Sequence, residues 1–179
     1  MIYSLSLHTA GLIAGFLLVL FSLLLLPARN SLSQFPRSRL AGAVLLTIDL
    51  IWSVWLLATM EMGEFSSFRR PLLFILPVGF LLVLRFVDEF LAVRALGILC
   101  LLAAEPLLDA AFLRPETSRV LVTVLAYLMI VAGLLWVTMP YLLRDQILWG
   151  TKSIGRWRLV SGVGFIFGAL ILVCAFVAY

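Results

Sequence analysis

The chain has 179 residues, 64% of them hydrophobic and only 12% charged, with a mean hydropathy of +1.20. Soluble domains use about 45–50% apolar and 25% charged residues, so this composition excludes one. The net charge of +4 does not indicate nucleic acid, because the basic residues are scattered among short loops, as they are at membrane anchors, with no long basic run.

The first apolar segment covers 4–26 and stops at Pro27. No basic residue precedes it and its apolar run is too long for a signal-peptide core, so it is expected to remain as a membrane span. It carries Gly11 and Gly15 in GxxxG spacing, which lets helix backbones approach closely. His8 lies near its outer end with no second ligand at metal spacing, and reads as an interfacial residue.

The second segment, 40–60, holds Asp49 near its centre. A carboxylate in hydrocarbon is costly unless protonated, paired or hydrated, and is a functional-site candidate by default. Trp52 and Ser53 share its helical face.

Segments three and four, 71–89 and 90–113, are separated only by Arg85, Asp88, Glu89 and Arg94. The expectation is two full helices joined by a tight charged turn, rather than a re-entrant segment kinked at Pro77. On a continuing helix Arg85 and Glu89 would pair along one face. These four charges read as an interfacial ion-pair network.

The fourth segment contains Ala104-Glu105-Pro106 and, one turn on, Asp109. Glu105 and Asp109 project from one face, and Pro106 frees the carbonyl of Leu102. Together they predict a polar pocket inside the membrane, with Glu105 the strongest single site and Asp49 its counterpart in the second span. Pairing with arginines of neighbouring helices is the plainer role; accepting a proton or cation is the sharper one.

The fifth segment covers 120–143. A loop from Arg144 to Arg158, with Trp149 and Trp157 among basic residues, suits headgroup anchoring. The sixth covers 159–178 and holds a second GxxxG pair, Gly164 and Gly168.

Six apolar runs of 19–24 residues predict an all-α fold, a polytopic transmembrane helical bundle in a single domain. No alternation of the kind a membrane barrel needs is present. Arginine, leucine and glycine recur at the start of the second, fourth and sixth spans, which suggests three helical hairpins. Lys and Arg number nine on one side of a six-span topology and four on the other, so both termini are expected outside the cytoplasm of a bacterial inner membrane.

Cys100 and Cys174 lie in apolar segments and offer neither metal spacing nor a disulfide framework. No phosphate loop, dinucleotide turn or nucleophile elbow occurs, so neither cofactor nor catalytic residue is assigned. The expected role is a structural or accessory subunit of a membrane assembly, its partners being the lipid bilayer and other subunits or a second copy. The alternatives are an ion- or proton-coupled transporter or channel using the carboxylates, and an integral membrane enzyme acting on lipid.

Overall fold

The structure, a computed structural model, describes residues 5–87, 89–114, 116 and 118–177. Eight helices follow in chain order: α1 (Leu7–Leu25), a short α2 (Arg29–Leu32), α3 (Arg39–Thr59), α4 (Arg69–Phe86), α5 (Leu91–Ala111), α6 (Arg119–Thr138), α7 (Tyr141–Thr151) and α8 (Ile154–Val177). All but α2 and α7 are long and apolar enough to cross a membrane, and the described residues contain no strand. The protein is an all-α polytopic membrane bundle.

Local chemistry sets the helix ends. Ser6 and Ser38 cap α1 and α3 by accepting the backbone N–H of Thr9 and Ala41, which satisfies donors that a helix start leaves open. α4 runs unbroken through Pro77, so residues 71–86 form one continuous helix, long and apolar enough with the turn before it to cross a membrane. The helix then ends at Phe86, and Phe90, with a left-handed φ of 56°, turns the chain into α5. Arg85 and Glu89 therefore do not share a helix face, and Asp88 lies outside the described residues.

One boundary differs from the sequence expectation. The fifth span ends at Thr138 instead of 143, and the stretch expected as a loop contains α7. Pro140 is the reason: it has no N–H to donate and would clash with the carbonyl one turn back. It sits instead just before the first residue of α7. α8 accordingly begins at Ile154, before the expected 159.

α5 is the central helix, packed against α6, α3 and the N-terminal part of α1. The closest couples are α5 with α6, α1 with α8 and α3 with α5, and α4 packs mainly on α3. Of these three couples α5–α6 is a hairpin of consecutive spans, whereas the α1–α8 couple joins the two ends of the described chain. Small residues make the closest couples possible. A Cβ on Gly15 would lie 3.0 Å from the Gly168 carbonyl oxygen, and one on Gly168 would lie 3.1 Å from that of Gly15. The two GxxxG pairs thus face each other within one chain, with Gly11 also buried on α1.

The segments at one end of the bundle carry nine of the 13 basic residues. Backbone carbonyls left open by helix ends are closed there by long side chains. Arg29 donates from Nε and a terminal nitrogen to the Thr151 carbonyl at 3.1 and 2.6 Å. The buried Trp157 donates its indole N–H to the Leu25 carbonyl at 2.9 Å. Arg144 and Arg156 stack over Phe90 and Trp149, an arrangement in which cation and ring attract. The Trp157 bond gives a direct expectation. Trp157→Phe keeps most of the buried ring but strands one carbonyl, and should lower stability in detergent by about 1 kcal/mol. Trp157→Ala empties the site and should cost about 3–5 kcal/mol. Equal unfolding temperatures for the two variants would refute this.

Candidate functional site

Asp49 stands at the midpoint of α3, and burial there follows from the packing stripe it belongs to. Gly42, Leu46, Asp49 and Leu57 are all buried and lie on one side of the helix, at spacings of three, four and eight that keep to one face. That side meets α5, where a Cβ on Gly42 would come within 2.8 Å of the Ala92 nitrogen. Two turns further along α5 lies the half-buried Cys100. Asp49 is 3% exposed, and neither carboxyl oxygen has a hydrogen-bond partner among the described residues.

Thr47, two positions before it, donates to the Ala43 carbonyl at 2.7 Å, and Thr59, Thr123 and Thr138 elsewhere in the bundle likewise turn back on their own helices. Such bonds close a hydroxyl within its own helix. An ionised carboxyl group, which only accepts, has no equivalent.

Glu105 has the opposite surroundings. Every residue of α5 from Leu91 to Ala111 is buried or half-buried except this one. Ala104 and Pro106, on either side, are buried, so the flanking backbone is fixed while the glutamate points out of the bundle. It lines an open groove of about 590 Å³ with Asp109, Leu108, Phe112 and Ile130 of α6. Four residues past the helix midpoint, Glu105 is about 6 Å nearer the less basic end.

Among the described residues, no ion pair joins Asp49, Glu105 or Asp109 to a basic side chain. The pocket that spacing predicted around Glu105 and Asp109 therefore opens outward, and the acid enclosed within the bundle is Asp49. The two acids are not brought together: Asp49 lies in the α3–α5 seam and Glu105 on the outer α5–α6 face. Arg85 and Glu89 are exposed, while Arg94 is half-buried with its Nε unpartnered. No ion pair links those three among the described residues.

Sequence reasoning missed Tyr127. It is 59% exposed near the centre of α6, three positions from Ile130 and thus on the same flank. A phenol facing hydrocarbon at mid-depth is uncommon, because tyrosine prefers the interface where its hydroxyl is wet. Its distance from the span ends was the available signal.

A family model described as the cell division protein CrgA matches residues 109–176. The match takes in the end of α5 with Asp109, then α6, α7 and most of α8, which is less than half of the chain. No curated protein and no solved structure matches. Over this region the chain is similar to a cell-division protein family, and it is an integral membrane protein.

Proposed function

We propose that the protein is an accessory subunit of a membrane assembly that works in cell division, and that it docks a partner's transmembrane helix in the α5–α6 groove. The outward-facing Glu105 carries this reading. In lipid it would cost several kcal/mol, and a helix offering a basic or hydrogen-bonding side chain at that depth removes the cost. Asp109 and Tyr127 add acceptor and donor groups on the same outer face. The likeness to a cell-division family supports the setting. We further assign the basic end to the cytoplasm of a bacterial inner membrane, since Lys and Arg collect on that side. Both termini would then lie outside it.

The test uses a fluorescent fusion in dividing cells of the native host. The wild-type fusion is expected to concentrate at the division site. Glu105→Leu should accumulate to the same level and unfold at the same or a higher temperature, yet spread evenly over the envelope. An even spread of the wild type would sink the division role, and an unaffected Glu105→Leu would sink the groove.

A second reading, ion- or proton-coupled transport, draws on Asp49 alone, since a buried acid at mid-membrane is what such a path would use. Flux into vesicles holding the purified protein, lost on Asp49→Asn, is its required outcome.

A further inference from the structure

A second groove, of about 380 Å³, runs between the end of α1 and the first turns of α8. It is independent of the α5–α6 face and opens at the basic end of the bundle. Its walls are apolar: Leu23 and Leu26 on one side, Phe165 and Ile166 on the other. Gly162 leaves it room, because a Cβ there would meet nothing within 4 Å. Gly164 and Gly168 of the same helix differ, since their Cβ positions would strike Ser22 and Val19.

Two polar groups line this space. Arg158, at the mouth, is exposed and joined to no acidic side chain among the described residues. Ser161, one turn further into α8 and about 4.5 Å deeper by helix rise, is 3% exposed. Its hydroxyl has no hydrogen-bond partner among the described residues. Ser22, across the groove, already donates its O–H to the Leu18 carbonyl at 2.7 Å. The groove thus offers a guanidinium at its mouth, an uncommitted hydroxyl beneath it and apolar walls below.

We propose that this groove binds one anionic glycerophospholipid of the leaflet at the basic end. The phosphodiester meets Arg158, whose planar fork suits phosphate oxygens. A glycerol ester oxygen accepts from Ser161, which supplies the missing partner of a buried hydroxyl. One acyl chain lies between the leucine and the Phe165–Ile166 walls. A free anion would gain the arginine but nothing from those walls, so the occupant is a lipid.

The experiment titrates the full-length protein in mild detergent with phosphatidylglycerol or phosphatidylcholine of identical chains, read by native mass spectrometry. Phosphatidylglycerol should bind roughly ten-fold more tightly, the size one basic contact supplies. Arg158→Gln should erase that preference. Arg37→Gln, at the same end but outside the groove, should keep it. Gly162→Leu adds its bulk where a Cβ meets nothing within 4 Å, so it should unfold no lower than wild type and abolish retention of both lipids. The proposal is overturned if Arg37→Gln acts like Arg158→Gln, which would indicate general charge at that end. It is also overturned if Gly162→Leu leaves lipid retention unchanged, or if inorganic phosphate alone binds as tightly as the lipid.

Discussion

Gly133→Ile is expected to separate α5 from α6 and cost at least about 3 kcal/mol in detergent. A Cβ at Gly133 would lie 2.7 Å from the Gly97 carbonyl oxygen and 2.9 Å from Leu101 Cγ. In return, a Cβ at Gly97 would lie 2.9 Å from the Gly133 carbonyl oxygen and 2.8 Å from a Val137 methyl. A side-chain tip can rotate away, but a carbonyl held in a helix cannot, so the helices must move apart. Overpacking alone costs about 1–3 kcal/mol, and in a membrane the close contact is itself what binds helices together. Because α5 also packs against α3 and α1, its displacement disturbs more than one couple. Gly79→Ile on α4 is the control, since a Cβ there meets nothing within 4 Å. Thermal unfolding should separate the two variants clearly. If they unfold together, the glycine contact does not set the α5–α6 spacing.

These glycines show what the sequence could and could not disclose. Apolar runs made the six spans legible, because crossing hydrocarbon demands length and little else. Pairing left a weaker trace. The GxxxG pairs of α1 and α8 were visible as motifs, yet nothing local said that one faces the other across the length of the chain. Gly97 and Gly133 belong to no such motif and make equally close contacts. Pro140 was visible as a breaker, but the apolar residues on both sides masked the break and extended the fifth span too far.

The acids illustrate the same limit. Helical spacing put Glu105 and Asp109 on one face, and no pattern told whether that face looks inward or outward. Ala104 and Pro106 are small or compact enough to be buried on both sides, which leaves the longer glutamate at the mouth of a groove. For Asp49 the seam of Gly42, Leu46 and Leu57 that encloses it is set by burial against α5, and a helix apolar on every side does not single that face out.

Asp49→Leu is therefore expected to stabilise the protein, by about 1–3 kcal/mol. Two buried carboxyl oxygens without partners cost free energy whether or not the group is ionised, and well-packed apolar replacements of buried charged groups are often stabilising. Leucine continues the seam that Leu46 and Leu57 already form toward α5. Asp49→Asn is the informative companion, because an amide in the same space keeps unpaired polar atoms and should gain nothing. Unfolding in detergent would rank leucine above wild type, with asparagine at or below it. The reverse order, with leucine less stable than both, would mean that a bound water or cation satisfies the carboxyl in the folded protein. If the expected order holds, the acid is not kept for stability, and activity must account for it. Division-site localisation and vesicle flux then separate the causes: loss of localisation in Asp49→Leu ties the acid to assembly, and loss of flux ties it to transport.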